Sequence, residues 1–110
     1  MIDWARVSEL RDEVGAEDFE EVVQLFLAEV EDVVGRLQAG SDRDALEADL
    51  HYLRGSALSL GFASFSRLCL EVEQKAGRGL ATDEEISEVL FAFFNSKADF
   101  IDGLPAALAA

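Results

Sequence analysis

The sequence predicts an all-α fold: an antiparallel four-helix bundle with an additional short N-terminal helix, in one domain over residues 1–110. Apolar residues recur at i, i+3 and i+4 spacing along four segments, which is the pattern of amphipathic helices. No stretch of useful length alternates apolar and polar residues as a half-buried strand would. Half of the residues (50%) are hydrophobic, so four such helices with short connections can bury their apolar faces against one another.

The five predicted helices cover about residues 3–14, 17–39, 42–61, 63–78 and 83–103. Lys97 is the one charged residue within the last apolar stripe, and its stem can lie along the edge of the core with the ammonium group in water. The residues of the four bundle stripes form the predicted core: Phe19, Val22, Val23, Phe26, Val30, Val33, Val34 and Leu37; Leu46, Leu50, Leu53, Ala57 and Leu60; Phe65, Leu68, Cys69, Val72 and Ala76; Ile86, Val89, Leu90, Phe93, Phe100, Ile101 and Leu104.

Three helix starts carry capping residues. Asp3 can cap the short first helix, and Ser41, after a glycine, can cap the helix over about residues 42–61. The segment from Thr82 to Glu85 has the capping-box pattern, in which the two residues each satisfy the other's backbone N–H. These signals place the helix starts independently of the apolar periodicity.

The predicted helix ends rest on glycine and proline. Gly15 stops the short first helix, and Gly77 and Gly79 end the helix over about residues 63–78. Pro105 marks the frayed end of the last helix, because proline lacks the backbone N–H that a helix interior needs.

The formal net charge of −14 excludes several classes of partner. Phosphate backbones repel such a surface and there is no basic patch, so we expect neither nucleic-acid binding nor docking on an anionic membrane. No apolar run reaches the length of a membrane span, and the first residues do not resemble a signal peptide. The single cysteine, Cys69, cannot form an internal disulfide. Together these features predict a cytoplasmic protein.

The segment HYLRGSALSLGF, residues 51–62, contains the single histidine of the chain, His51. At 100° per residue, His51 lies about 140° from the centre of the apolar stripe of its helix, so it points away from the core. Arg54, Gly55, Leu58 and Glu47 share that outer face. His51 could be an incidental surface histidine. Gly55 argues against this, because glycine inside a helix lowers stability by about 1 kcal/mol relative to alanine.

Gly55 leaves a notch one turn after the imidazole, through which another protein's backbone could approach. Arg54 places a cation at i+3 from His51; it could instead be a solvated charge that pairs with Asp49, Glu47 or nothing. A neutral imidazole is a good nucleophile towards phosphorus, and a guanidinium would stabilise the anionic phosphohistidine. There is no phosphate-binding glycine loop or nucleotide motif, so the chain could hardly take a phosphoryl group from ATP by itself.

These residues resemble the signature of the histidine-containing phosphotransfer (HPt) domain family, H-x-L-K/R-G-S-x-x-x-x-G. The resemblance covers nearly the whole chain, and the flanking helices also fit the family pattern. It implies the four-helix bundle that the periodicity predicts, and it implies a monomer. The matching residues are His51, Leu53, Arg54, Gly55, Ser56 and Gly61.

The resemblance implies a phosphorelay intermediate whose partners are response-regulator receiver domains and a histidine kinase. His51 would carry the phosphoryl group on Nε2, Arg54 would neutralise it from the family's lysine position, and Gly55 would give the receiver access. Ser56 fills the usual small polar position, where a hydrogen bond to the helix backbone is the minor role expected. The receiver supplies its own Mg²⁺, so no cofactor or metal is expected here.

The family also places Gln or Glu on the next helix, facing the histidine, at the position of Glu73. A carboxylate that accepts a hydrogen bond from Nδ1–H would fix the imidazole tautomer and make the other nitrogen more basic. The alternative is a solvated glutamate beside Glu71, Gln74 and Lys75. Phe62 departs from the small residues common at its position, and it could either cap the core or dock a partner.

Two other functions are compatible with a helical bundle. A non-catalytic adaptor would bind receivers or kinases without being phosphorylated, but a degenerate member would usually lose the histidine. A metal or cofactor bundle needs several inward Glu and His ligands, which one outward histidine does not provide. The leading hypothesis is therefore a stand-alone phosphocarrier that docks receivers around His51, with Leu58, Tyr52 and Glu47 as candidate contacts. The initiating methionine and the small-residue end at 104–110 favour a stand-alone protein over a domain cut from a larger kinase.

Overall fold

The computed structural model describes residues 1–40 and 43–109, apart from the side chains of residues 43, 108 and 109. This part of the chain contains five helices and no strand, which confirms the predicted all-α class. The cap predicted at Ser41 lies outside the described residues. In chain order the helices are α1 (Trp4–Val14), α2 (Phe19–Gln38), α3 (Arg43–Leu60), α4 (Ala63–Gly77) and α5 (Asp83–Ala109).

Helices α2 to α5 form the bundle. α2 packs on α3, α3 on α4, α4 on α5, and α5 back on α2, while α1 packs against α2 and α3. Short connections make consecutive helices antiparallel, and the molecule extends 44 × 20 × 19 Å. In this arrangement α3 and α5 stand diagonally across the bundle from each other.

The core contains most of the residues of the predicted stripes, which are buried against one another. Aromatic side chains fill its centre: the ring of Phe62 lies 6.5 Å from that of Phe93 and 5.3 Å from that of Phe100. Phe62 is fully buried, so it caps the core and the alternative of partner docking is wrong. Ile101 differs from the prediction: it belongs to the last predicted stripe, but it is half exposed.

The caps predicted at Asp3 and in the segment Thr82–Glu85 are present. The Asp3 carboxylate accepts a hydrogen bond from the backbone N–H of Arg6 at 3.2 Å. Thr82 Oγ1 accepts from the Glu85 N–H at 3.2 Å, and the Glu85 carboxylate accepts from the Thr82 N–H at 3.0 Å. Both starts are therefore set by side chains that replace the missing intrahelical partners.

The end of α5 differs from the prediction, because the helix continues through Pro105 to Ala109. A proline removes one backbone hydrogen bond, and packing around the preceding turns outweighs that loss. The Trp4 ring stacks on Phe100 with the ring centroids 5.8 Å apart, and it also lies against Gly103, where a side chain would collide with it. Contact with Trp4 thus packs the turn of α5 that precedes Pro105.

The connection between α3 and α4 is a tight turn at Gly61, which has a positive φ of 80°. Its carbonyl accepts a hydrogen bond from the Asp3 N–H at 2.7 Å. A Cβ at Gly61 would come within 2.6 Å of the Asp3 carbonyl oxygen and 3.0 Å of Val7 Cγ2. Only glycine lets the chain turn here while α1 lies directly against the turn.

We therefore expect Gly61→Ala to lower the free energy of unfolding by at least about 2 kcal/mol, because the left-handed conformation and the close contact both oppose a methyl group. Urea unfolding followed by circular dichroism measures this change. Gly79→Ala is the matched control, since Gly79 has φ 69° but nothing within 4 Å of an added Cβ. Equal losses in the two variants would mean that contact with the N-terminal segment contributes nothing.

Candidate functional site

His51 lies on the outer face of α3, and its side chain is 64% exposed. Its chain neighbours Leu50 and Leu53 are fully buried on the opposite side of the helix. The amphipathic pattern of α3 therefore presents the imidazole to solvent while the same helix fills the core. Because α4 packs along α3 after the Gly61 turn, the side chains of α4 reach the edge of this outer face.

Glu73 on α4 faces the imidazole. Its Oε2 lies 2.9 Å from His51 Nδ1, and its side chain is only 16% exposed. Glu73 is therefore not the solvated glutamate that the sequence left as an alternative. A carboxylate oxygen can only accept a hydrogen bond, so this contact is a hydrogen bond when Nδ1 carries the proton.

Arg54 joins the same cluster instead of pairing with Asp49 or Glu47. Its Nε donates to Glu73 Oε1 at 3.1 Å, and its Nη2 lies 3.0 Å from His51 Nδ1. Both carboxylate oxygens of Glu73 are thus occupied, one by Arg54 and one by His51. The imidazole, the guanidinium and the carboxylate form a compact group at the α3–α4 edge, which we call the His51 cluster.

Within the His51 cluster, Arg54 and Glu73 compete for Nδ1. A guanidinium can only donate and a carboxylate can only accept, whereas a ring nitrogen has a single in-plane site for a proton or a lone pair. The side chain of Glu73 is 16% exposed and that of Arg54 is 28% exposed, so water reaches the guanidinium more easily than the carboxylate. Glu73 therefore loses more if it is left without the imidazole as a partner, whereas Arg54 keeps its bond to Oε1 in either case. The arrangement therefore favours a proton on Nδ1 and a lone pair on Nε2, the nitrogen that this cluster leaves uncovered.

The notch predicted at Gly55 is open, with nothing within 4 Å of an added Cβ. The backbone beside it is held by two serines: Ser59 Oγ donates to the Gly55 carbonyl and Ser66 Oγ to the Arg54 carbonyl, both at 3.3 Å. Leu58 is 53% exposed beyond the notch. A partner can therefore approach His51 over bare backbone and an apolar side chain.

Tyr52 and Ser56 lie on the side of α3 that faces α2 and do not join the His51 cluster. The Tyr52 hydroxyl donates to the Glu29 carboxylate of α2 at 3.0 Å. Burial raises the pKa of Tyr52, the Glu29 contact adds to the rise, and the Ser56 hydroxyl acts in the opposite sense. The backbone hydrogen bond expected of Ser56 stays a prediction.

Glu47 lies one turn before His51, and its carboxylate lies beside Gly77 at the end of α4. Glu47, Asp44, Ala48, His51 and Glu73 line a shallow open depression of about 390 Å³ next to the imidazole. Among the described residues, no group of three or more His, Cys, Asp or Glu side chains has an arrangement that could hold a metal ion.

Three supporting residues were missed from sequence alone. Ser66 is buried and holds the Arg54 carbonyl, Glu29 anchors Tyr52, and Asp49 is buried in an ion pair with Arg36 at 3.0 Å. The angular position of Asp49, between the outer face and the stripe, could have indicated contact with α2. Nothing in the sequence pairs Ser66 or Glu29 with its partner, because those contacts depend on the register between helices.

We expect the neutral imidazole of His51 to carry its proton on Nδ1, which ¹⁵N–¹H correlation spectra of the ring measure directly. Glu73→Ala removes the acceptor and leaves Arg54 free to donate to Nδ1, so the population should shift towards the Nε2–H form. Arg54→Ala removes the competing donor and should leave the Nδ1–H form dominant. Identical spectra for the wild type and Glu73→Ala would contradict the role of Glu73.

Cys69 lies beneath the His51 cluster and is fully buried. Burial raises the pKa of its thiol to about 12, with a further rise from Glu73 and an opposing effect of Arg54. Because the thiolate is the reactive form, we expect negligible alkylation by iodoacetamide at pH 8 in the folded protein and rapid alkylation in urea. Rapid labelling without denaturant would mean that α4 opens readily next to the site.

Comparison with known proteins identifies a family but no individual relative. No curated protein and no solved structure matches the chain. None of the described helices is long and apolar enough to cross a membrane. The family model described as Hpt domain matches residues 21–110, which include the whole His51 cluster but not α1. The chain therefore belongs to the Hpt domain family, whose members are histidine phosphotransfer domains of phosphorelays.

Proposed function

We propose that this protein is a phosphocarrier that accepts a phosphoryl group on His51 Nε2 and passes it to or from a receiver-domain aspartate. The observation that carries the proposal is the pairing of His51 Nδ1 with Glu73 at 2.9 Å on a solvent-exposed imidazole. A ring fixed in this way offers its other nitrogen, with a free lone pair, to an incoming phosphorus atom.

The transfer step is a displacement at phosphorus. The Nε2 lone pair forms the N–P bond while the bond between phosphorus and the donor's carboxylate oxygen breaks, and that carboxylate leaves with the electron pair. The ring then carries positive charge with the proton still on Nδ1, and the Glu73 carboxylate stabilises it as a charge-assisted acceptor. Transfer to a second aspartate is the reverse sequence, so Glu73 acts as a positioning residue in both directions.

Arg54 is the cation available to the transferred group. It lies one turn after His51 on the same face of α3, 28% exposed, with Nη2 against the ring nitrogen. When Nδ1 bears a proton this Nη2 has no acceptor there, so it is free to donate to a phosphoryl oxygen while Nε remains on Glu73. A planar guanidinium can hold two phosphoryl oxygens, which a lysine ammonium in its place could not do in the same geometry.

The surface around the His51 cluster fits a protein donor better than a small molecule. Gly55 leaves the backbone open, and Leu58 and Tyr52 expose 53% and 38% of their surfaces. Glu47 borders the same face from the α4 side. We infer that receiver domains dock here, in the small and transient encounters that group transfer between two proteins requires.

Incubation with a labelled phospho-receiver or an active histidine kinase tests the proposal. We expect label that is acid-labile and alkali-stable, and none in His51→Gln. Arg54→Ala and Glu73→Ala should retain labelling at a rate about tenfold or more below wild type, because each removes a charged contact made during transfer. Labelling of His51→Gln, or no labelling from several active donors, would favour the adaptor function instead.

Gly55 provides a separate test of access. We expect Gly55→Ala to be as stable as the wild type or more so, by up to about 1 kcal/mol, because alanine is the better helix former and its Cβ meets no other group. Gly55→Phe should also fold, but it should accept a phosphoryl group from a receiver far more slowly. Phosphorylation by a small-molecule donor such as phosphoramidate is the control and should be little affected. An equal loss with both donors would argue against a role in docking.

A further inference from the structure

The helix α1 borders the face from which a partner would approach His51. The Ser59 carbonyl accepts a hydrogen bond from Arg6 Nε at 3.3 Å, and the Ser59 hydroxyl donates to the Gly55 carbonyl at 3.3 Å. These two contacts join the Arg6 guanidinium to the open backbone at Gly55. Ser59 lies about 40° from Gly55 around α3, so Arg6 contacts the outer face of that helix and not its buried side.

The two faces of α1 have different surroundings. Val7 and Leu10 are buried in the core, and Trp4 packs against it. On the other face, Glu9 and Glu13 expose 66% and 56% of their side chains. The family model begins at residue 21, so α1 is not part of what defines an Hpt domain. The exposed face of α1 can therefore carry a feature that distinguishes partners without changing the shared bundle.

Arg6, Glu9 and Glu13 leave one negative charge at the edge of the outer face of α3. Nη1 of Arg6 lies 2.9 Å from the Glu13 carboxylate and 3.7 Å from the Glu9 carboxylate, so one guanidinium serves two carboxylates. Glu9 has the longer contact and the greater exposure, and it is the less satisfied of the two. Such a carboxylate favours a cation on an approaching partner and disfavours an anion.

An interface centred on His51 is large enough to include this part of α1. Ser59 lies eight residues after His51, which is about 12 Å along the helix axis. Even an interface at the low end of the usual range, about 1,200 Å² in total, covers roughly 600 Å² on each partner. A round patch of that area extends about 14 Å from its centre, which is beyond Ser59 and the Arg6 guanidinium that binds it.

We propose that α1 is part of the docking surface for receiver domains, and that Glu9 receives a basic side chain of the receiver, a lysine or an arginine. The inference rests on the phosphotransfer proposed above and names the chemistry that selects the partner. A receiver that covers Gly55 and Leu58 would place its basic side chain at Glu9. A receiver with an acidic side chain at that position would be repelled. Arg6 acts as a positioning residue, because it fixes both carboxylates to α3.

Site-directed cross-linking tests whether the receiver contacts α1. Glu9→Cys accepts a maleimide–benzophenone label, and the native Cys69 does not compete because it is fully buried. We expect light to cross-link this label to a receiver that phosphorylates His51. Glu88→Cys is the matched control, since Glu88 is an exposed glutamate on α5, diagonally across the bundle from α3. No cross-link from position 9, or equal cross-linking from position 88, would overturn the proposal.

Glu9→Gln and Glu9→Lys test the charge. At low salt we expect phosphorylation by the receiver to slow about threefold in Glu9→Gln and at least tenfold in Glu9→Lys, and both differences should shrink at high salt. Phosphoramidate needs no docking, so its rate should change less than about twofold. Glu88→Gln and Glu88→Lys are the charge-matched controls and should behave as the wild type with both donors. Thermal melts check that each variant folds.

The outcomes separate this inference from the proposed function. If Glu9→Lys accepts the phosphoryl group from receivers as fast as the wild type, the role of α1 is overturned while phosphotransfer through His51 stands. An equal slowing with the receiver and with phosphoramidate would also overturn it, because the change would then lie at His51 itself. If no receiver phosphorylates the wild type, the proposed function fails and this inference fails with it.

Discussion

The close packing of α3 on α4 is the constraint on which the site depends. Gly61 allows a turn tight enough for the two helices to lie side by side, and this register places Glu73 within hydrogen-bond distance of His51. Ser66 reinforces the same contact by binding the Arg54 carbonyl across the helix pair. A rotation of α4 by one residue would move the carboxylate about 100° around the helix and leave the imidazole unpaired.

The His51 cluster also resolves a conflict between charge and chemistry. A surface with a net charge of −14 is a poor environment for an anionic phosphoryl group. The carboxylate of Glu73 and the guanidinium of Arg54 cancel each other locally, and the guanidinium lies next to the imidazole ring. For the phosphotransfer proposed above, this local neutrality lowers the repulsion at His51, although Asp44 and Glu47 line the adjoining depression.

Much of this could be predicted from the sequence, for identifiable physical reasons. The helices follow from apolar periodicity, two caps from local chemistry, and the outward position of His51 from its angle on α3. Contacts between helices were harder, because they depend on register: Ser66 with Arg54 and Glu29 with Tyr52 have no local signal. The continuation of α5 past Pro105 was also missed, because proline is typical of a helix end and the sequence does not show that the preceding turn packs against Trp4.

The stack of Trp4 on Phe100 links the N-terminal segment to the last helix. The neighbouring residue Asp3 binds the Gly61 carbonyl in the turn between α3 and α4. Two adjacent residues thus clasp parts of the fold that are distant in the chain, so loosening this segment would release the site-forming turn and the last helix together.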